Sequence, residues 1–479
     1  MRLPSPLVVL PLSLLACKDE GPQDSAAPSA LVSAQGATIL GPDGAPLRLR
    51  GVNLGGWIFH ENWITAVDYD LRGRALVEAK VLGFEAELLA ALGALEGDGD
   101  DLDALAAQLA GKVSDEDIAA WRGAIAERPP LWDDSDVAMR LAMESRFGVD
   151  GRDALLDTFQ AAWFGEADVQ WLAEQGFNLV RVPMGWRGLT SQTDAASPTT
   201  LTWNERTFDR LDALLSWCEA AGVYAVIDIQ ELPGDQAGYT GSSTVFEDPA
   251  LQALSVALWQ ELSARLADEP NVAFYSLMAE PMAAPDAEAR DALYDQLIAA
   301  VRDQGDQHLV VVHDGFKGLY TLPVPEERGW EGVVYSTHLF EWGAESQEDY
   351  AALITLNEAA ARTLIERTDT PYFVGSFSTM HDEPWAYASA EALVTSFESQ
   401  SLPWALWTYK RIDDPVGRRL GEPGTAWGLR GRTKDDLNRP DLWRDDEATL
   451  EAKLAAYAEF PLEPNEPLLE AVTRPWRPE

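Results

Sequence analysis

Basic residues are scarce in this chain. Its 479 residues include 36 Lys and Arg against 79 Asp and Glu, which gives a formal net charge of −43 at pH 7. A surface with this excess of negative charge repels nucleic acid and anionic lipid, so neither is expected as a direct partner. The excess is typical of a solvated, salt-tolerant surface. The hydrophobic fraction of 46% nevertheless allows a sizeable buried core, in one large domain or two ordinary ones.

Cysteine is also scarce, with only Cys17 and Cys218. Leu14-Leu15-Ala16-Cys17 ends an apolar stretch that is too short to span a bilayer as a mature helix, and it resembles the lipobox of bacterial lipoproteins. This resemblance implies cleavage before Cys17 and attachment of lipid to its sulfur, with a plain secretory signal as the alternative. Once Cys17 is acylated, Cys218 has no disulfide partner and is interpreted as a small buried hydrophobe on a helix.

The N-terminal pattern predicts three segments: a signal peptide over residues 1–17, a flexible linker over 18–30 and a folded domain over 31–479. The linker is polar and rich in Pro, Ala and Ser. The expected location is the bacterial cell envelope, at the outer membrane or cell surface, with secretion as the alternative. Contact with a membrane is expected only through the lipid anchor.

No Gly-x-Gly-x-x-Gly follows the first predicted strand, so a dinucleotide-binding sheet has little support. Beyond residue 156, helix-length segments alternate with short apolar runs, which predicts parallel strands joined by right-handed crossovers. Eight such strands predict a closed (β/α)8 TIM barrel of the α/β class, with an open doubly wound sheet as the alternative. The predicted strands are 49–53, 177–182, 223–229, 272–277, 308–312, 332–336, 372–375 and 404–407.

Two further segments precede this alternation. Residues 31–40 and 47–52 are predicted to be short strands joined by a turn at Gly41-Pro42-Asp43-Gly44. Residues from about 66 to 156 are rich in Ala and Leu and are too long for a loop. They predict a helical insertion after the first barrel strand that lies over one face of the domain.

The segment from Phe274 to Pro281 is the strongest local signal for a site. An apolar run short enough for a buried strand ends in Glu280, and Pro281 follows. Because proline cannot continue a strand ladder, Glu280 is expected at the carboxyl end of the fourth strand, facing a cleft. Parallel barrels carry their chemistry at this edge. The alternative is a strand-end Glu that caps the next helix.

Polar and aromatic side chains follow nearly all the other predicted strands as well. They are Asn53, Trp57, Arg181, Gln230, Glu231, His313, Asp314, His338, Phe340, Glu341, Trp342, Ser376, Trp407 and Lys410. Aromatic faces with carboxylates and amides between them suit sugar rings, which have apolar faces and hydroxyl edges. His313 and Asp314 lack a third ligand at suitable spacing, so no metal and no other cofactor is expected.

Six segments of the chain carry a family resemblance. They are Leu49–Trp57, Glu61–Thr65, Gly176–Pro183, Pro233–Gly238, Leu277–Pro281 and Tyr372–Ser378. In these segments the chain is similar to family 5 of the glycoside hydrolases, the cellulase-like clan, near its exo-1,3-β-glucanase branch. The resemblance covers roughly residues 31 to 427, apart from most of the helical insertion.

The resemblance implies roles for four residues that are present. Glu280 would be the general acid/base, and Arg181 would hydrogen-bond the nucleophile. His338 matches the family histidine after the sixth strand, and Trp407 matches the tryptophan that stacks on substrate. Pairing with an acidic residue is the alternative for Arg181, and a satisfied strand-end histidine is the alternative for His338.

Four other family positions differ here. Gln230 stands for a histidine, Ala279 for the asparagine that binds the sugar 2-hydroxyl, and Phe340 for a tyrosine. Ser376 stands for the nucleophilic glutamate. A retaining glycosidase needs two carboxyl groups about 5–5.5 Å apart, and a neutral serine cannot take the place of the second one.

Glu231 is the most plausible relocated base, because an inverting mechanism tolerates carboxyl groups about 6.5–9.5 Å apart. Its alternative is a salt bridge to a basic residue at the rim. Asp382 and Glu383 are interpreted as a solvated loop. The sequence therefore predicts a β-glucan- or oligosaccharide-directed hydrolase with altered catalytic parts, in which Trp342 and Trp407 stack on sugar. The alternative is a catalytically dead, surface-tethered carbohydrate-binding barrel.

Overall fold

The structure is a computed structural model that describes residues 31–67, 70–95, 101–126, 135–192, 200–239, 243–381, 383–413, 428–433 and 437–477. The signal segment, Cys17, the linker and Asp382 lie outside the described residues. No helix within these ranges combines the length and the apolar character that crossing a membrane requires.

Eight of the described strands close into a parallel barrel in chain order, and the last pairs with the first. They are β1 (Arg50–Asn53), β2 (Leu179–Gly185), β3 (Tyr224–Glu231), β4 (Val272–Ser276), β5 (Leu309–His313), β6 (Val333–Leu339), β7 (Tyr372–Phe377) and β8 (Trp404–Leu406). The predicted TIM barrel is therefore confirmed, with small differences at strand ends. The prediction succeeds because strands buried on both faces produce continuous apolar runs.

The helices that pack around the barrel begin and end at ordinary capping residues. Asp248 accepts a hydrogen bond from the Ala250 amide at 2.8 Å, and Asp286 accepts one from Ala289 at 2.8 Å. Gly222 closes its helix in the left-handed conformation at φ 69°. The helices are Glu166–Glu174, Glu205–Ala221, Pro249–Leu266, Ala287–Arg302, Gln347–Thr368, Pro384–Gln400, Glu447–Ala455 and Glu466–Thr473, with short turns at Asn62–Thr65, Trp186–Leu189 and Pro325–Arg328.

The helical insertion follows β1 as predicted but extends further, to Trp163. Its helices are Asp70–Leu82, Glu85–Ala94, Leu102–Leu109, Asp115–Ala126 and Ser135–Trp163, the last kinked at Gly148. The final helix continues past residue 156 because Phe159 and Trp163 near its end are buried in the hydrophobic core. Two indole groups join it to the loop after β1: Trp57 Nε1 donates to the Gln160 carbonyl at 2.9 Å, and Trp163 Nε1 donates to the Gly55 carbonyl at 3.1 Å.

Two small sheets differ from the sequence-based expectation. Residues 31–40 form a hairpin of Ser33–Gln35 and Thr38–Leu40 rather than one strand. Gly36 turns this hairpin at φ 55°, where a Cβ atom would lie 2.7 Å from a carboxylate oxygen of Asp369. A sheet of Lys410–Asp413, Arg430–Thr433 and Glu463–Pro464 was not predicted, because its strands are too short to show a period.

The barrel interior changes from apolar to polar along the strands. Near their amino ends, Leu179, Val226, Phe274 and Val311 belong to one buried apolar cluster. Because side chains alternate between faces with a period of two, the residue two positions later on each strand points into the same interior. These residues are Arg181, Asp228, Ser276 and His313, and all four are buried. The polar layer lies directly below the segment that carries Glu280.

Candidate active site

Glu280 follows the end of β4 in an unusual backbone conformation, at φ 44°. The residue is only 7% exposed. One oxygen, Oε1, is hydrogen-bonded to Nδ1 of His338, and the other, Oε2, accepts a hydrogen bond from the hydroxyl group of Tyr239. Burial raises the pKa of Glu280, while His313 and Arg181 act in the opposite direction. A buried carboxyl group with a raised pKa can hold a proton for an acid step.

His313 and His338 stand together behind this carboxyl group, with ring centroids 4.5 Å apart and planes at 80°. Nδ1 of His313 accepts a hydrogen bond from the Gly315 amide at 2.9 Å, so its proton lies on Nε2. Burial lowers the pKa of His313 to about 3 and that of His338 well below its ordinary value. Both imidazoles are therefore neutral at pH 7.

Arg181 is held at the centre of the polar layer by three side chains. It donates to Asn53 Oδ1 at 2.6 Å, to Asp228 Oδ2 at 2.7 Å and to Gln230 Oε1 at 3.1 Å. Asn53 in turn donates to the carbonyls of residues 405 and 406 at 3.1 and 3.2 Å. The structure thus brings together three of the predicted site residues, with Arg181 paired to an acidic partner. Asn53 and Gln230 hold the guanidinium group.

Ser376 lies next to His338 in the pairing of β6 and β7, beside an irregularity in that ladder. Its hydroxyl group is buried, and it has no hydrogen-bond partner among the residues that the structure describes. A Cβ atom on the preceding Gly375 would lie 3.0 Å from Nε2 of His338, so the β7 backbone approaches the imidazole closely. Ser376 therefore carries a buried, unpaired hydroxyl group on the strand that runs beside His338.

Glu231 forms an ion pair with Arg187 at the rim. A salt bridge of this kind was the expected alternative to a role for Glu231 as a catalytic base. Its second oxygen is buried and has no hydrogen-bond partner in the described part of the chain. Burial raises the pKa of Glu231 to about 7; Arg187 opposes the rise, and Asp235 and Asp136 add to it. Asp136 belongs to the helical insertion, so Glu231 faces the insertion as well as the barrel.

Replacing Glu231 with Gln is expected to make stability less dependent on pH. The folded-state pKa of about 7 exceeds the ordinary value of 4.5, so Glu231 favours the folded state below pH 4.5 and loses this contribution as pH rises towards 7. The unfolding free energy of the wild type should fall by about 3 kcal/mol relative to Glu231→Gln over that interval. Urea denaturation at pH 4.5 and pH 7.5 measures the difference, and parallel curves for the two proteins would contradict it.

The two tryptophans expected to stack on sugar, Trp342 and Trp407, differ in their exposure to solvent. Trp342 is 65% exposed and lies 5.6 Å from Phe340, ring centroid to ring centroid, in the loop after β6. Trp407 is only 8% exposed and packs on Trp63 at 6.3 Å. Of the two tryptophans, Trp342 is therefore the one whose ring is open to a ligand.

The profile of the family described as Cellulase (glycosyl hydrolase family 5) matches residues 148–412, which is more than half of the chain. The chain belongs to glycosyl hydrolase family 5. The matched region begins within the last helix of the insertion and includes β2 to β8. β1 and most of the insertion lie before it.

Individual relatives are distant from this family 5 chain. A β-xylosidase from Phanerodontia chrysosporium is 28% identical over 209 residues, which are 42% of this chain and 42% of that protein. A probable glucan 1,3-β-glucosidase A from Emericella nidulans is 24% identical over 301 residues, which are 57% of this chain and 68% of that protein. The crystal structure of an endogalactoceramidase shares the fold, with a TM-score of 0.51 at 16% identity over 89% of this chain and 84% of that chain.

Sequence reasoning about this family 5 chain missed two residues that touch the site. Asp228 lies in an apolar run between Ile227 and Ile229, and only its inward register reveals that it faces Arg181. The one signal in the sequence that could have identified Asp228 is a single carboxylate within a run that predicts a buried strand. Tyr239 lies in the loop after β3, and no spacing in the sequence places its hydroxyl group on Glu280. The family position assigned to Ser376 stays a prediction from the motif around it.

Proposed function

We propose that the carboxyl end of the barrel binds a β-linked glucan or oligosaccharide, and that this chain does not cleave it by the two-carboxylate route of retaining glycosidases. Membership of glycosyl hydrolase family 5 supports a glycoside hydrolase-like function. A relative named as a probable glucan 1,3-β-glucosidase supports a β-glucan as the ligand. The exposed Trp342, in the loop after β6, and the buried Glu280, after β4, supply an apolar face and a polar group at the same end of the barrel, as a sugar ring requires.

The observation that carries the second half of the proposal is the serine at position 376. Double displacement needs a carboxylate to attack the anomeric carbon and to stabilise the positive charge that develops there. A hydroxyl group is neutral and reacts only when a base removes its proton. His338, its neighbour in the strand pairing, bonds Glu280 through Nδ1, but its Nε2 makes no hydrogen bond to the Ser376 hydroxyl group, which has no partner among the described residues. Ser376 is therefore not activated as a nucleophile.

The other carboxylates near Glu280 do not offer a simple replacement. Asp228 is fully buried and bonded to Arg181 at 2.7 Å. Glu231 is paired with Arg187 and faces the insertion. These pairings favour binding over hydrolysis as the function of the carboxyl end of the barrel. The lipobox-like segment ending at Cys17 would hold such a barrel at the cell envelope, and it stays a prediction from the sequence.

Replacing Trp342 with Ala is expected to weaken oligosaccharide binding about tenfold, because it removes an aromatic face worth roughly 1.4 kcal/mol of stacking. Isothermal titration with laminari- and cello-oligosaccharides measures the affinity. Leu356→Ala is the matched control, since Leu356 is also an exposed apolar residue but lies on the outer helix Gln347–Thr368. Equal affinities for wild type and Trp342→Ala would show that the sugar does not bind at this rim.

A further inference from the structure

The loop after β3 is fastened to the segment that carries Glu280. Gln236, whose side chain is fully buried, makes the connection. Its Nε2 donates to the Ala279 carbonyl at 2.7 Å and to the Gln230 carbonyl at 2.8 Å, and its Oε1 accepts from the Leu232 amide at 2.8 Å. The Ala283 amide also donates to the Gln236 carbonyl, at 3.1 Å. The loop and the turn that carries the acid thus form one bonded unit.

The same loop is bent so that it returns to the site. Asp235, at φ 51°, accepts hydrogen bonds from the amides of Ala237 at 3.0 Å and Gly238 at 2.8 Å. Gly238 follows at φ 84°, a conformation that glycine adopts without strain. This turn places the hydroxyl group of Tyr239 against Oε2 of Glu280.

Both oxygens of the Glu280 carboxyl group are therefore bonded to protein side chains, His338 on one and Tyr239 on the other. An acid that protonates a glycosidic oxygen must present one of its oxygens to the sugar. The position beside Oε2 is the one that a sugar oxygen would otherwise use, and a phenol hydroxyl group takes it here.

We propose that Tyr239 is a positioning residue that fixes the Glu280 carboxyl group opposite His338 and competes with sugar for its second oxygen. The claim that Tyr239 competes with sugar rests on the proposed function. The claim that it fixes the Glu280 carboxyl group rests on the geometry of the loop that Gln236 fastens. Tyr239 acts through Glu280.

Removing the Tyr239 hydroxyl group has a defined effect on the acid. A donor to a carboxylate stabilises the charged form, so its loss raises the pKa of Glu280. A hydrogen bond to a charged group is strong enough for its loss to raise the pKa of Glu280 by about one pH unit. The other ionisable groups that face Glu280 stay in place in the variant: His338 on β6, His313 on β5, Arg181 on β2 and Asp228 on β3.

The experiment compares wild type with Tyr239→Phe, which keeps the ring and loses only the hydroxyl group. The carboxyl ¹³C resonance of Glu280, assigned by its loss in Glu280→Gln, is titrated without sugar, and laminari-oligosaccharide affinity is measured by calorimetry. Tyr320→Phe is the matched control, because Tyr320 is 82% exposed in the loop after β5. We expect Tyr239→Phe to raise the pKa of Glu280 by about 1 and to tighten sugar binding three- to tenfold, and Tyr320→Phe to change neither.

The two readouts separate this inference from the proposed function. An unchanged Glu280 pKa in Tyr239→Phe overturns the inference, and so does weaker sugar binding, which would make the hydroxyl group a sugar contact. If neither protein binds oligosaccharide, the proposed function fails, and the pKa of Glu280 alone decides whether Tyr239 holds the carboxyl group. A raised pKa supports that contact in either case.

Discussion

Under the proposed function, Ser376→Glu is expected to give this chain a glycosidase activity that exceeds that of the wild type. The new carboxylate would stand on β7 beside His338, which already bonds Glu280, so that two carboxyl groups would flank one bound sugar. Arg181 lies in the polar layer below Glu280 and would favour the ionised form of a carboxyl group placed near it. Release of nitrophenol from nitrophenyl β-glucosides should rise on the order of 10³-fold over the wild type, the scale of a single well-placed catalytic group.

The stereochemistry of the product and one control variant make this test specific. Proton NMR of the first sugar released should show retention of the anomeric configuration, since the new carboxylate would form a covalent intermediate. Ser376→Gln has the same size without the charge and should stay inactive. A Ser376→Glu protein that folds and binds sugar but releases no nitrophenol would show that position 376 does not face the anomeric carbon.

Arg181→Met is expected to cause the largest loss of stability, about 3–5 kcal/mol at pH 7, because it leaves the fully buried Asp228 without its ion-pair partner. Burial already raises the pKa of Asp228, and Arg181 opposes that rise. Without Arg181 the folded-state pKa of Asp228 rises further above its unfolded value. The favourable contribution is then present only at low pH and is lost as pH rises. The destabilisation should therefore be smaller at pH 4.5 than at pH 7.5.

Urea denaturation of Arg181→Met at both pH values measures this prediction. The double variant Arg181→Met/Asp228→Leu serves as the control, because it removes both charges from the barrel interior. Its unfolding free energy should recover part of the loss, as buried pairs replaced by apolar residues often do. A loss below about 1 kcal/mol for the single variant, or a double variant no more stable than it, would show that Asp228 does not depend on Arg181.

The barrel could be predicted from sequence because its strands are buried on both faces. Runs such as 272–277 and 308–312 are mostly apolar, and the structure places β4 and β5 within a residue of those bounds. Glu280 could be predicted because Pro281 ends the run. The N-terminal hairpin and the sheet that begins at Lys410 could not be predicted, since strands of two to four residues show no reliable period.

The contacts inside the site depend on three-dimensional pairing that no local pattern encodes. Glu231 is the last residue of β3 and could face either the barrel interior or the rim. The structure pairs it with Arg187, which a short helix after β2 supplies. Tyr239 reaches Glu280 only because Gln236 fastens the loop to the Ala279 carbonyl. Both contacts join segments distant in sequence, so they require the closed barrel.

One pair of measurements on the unmodified chain addresses the central claim most directly: titration of laminari- and cello-oligosaccharides into the protein, with an assay for new reducing ends in the same samples. We expect saturable binding and no more reducing sugar from the wild type than from Glu280→Gln. Sugar released by the wild type and not by Glu280→Gln would contradict the claim, because Glu280 would then be working with a second catalytic group that Ser376 does not provide.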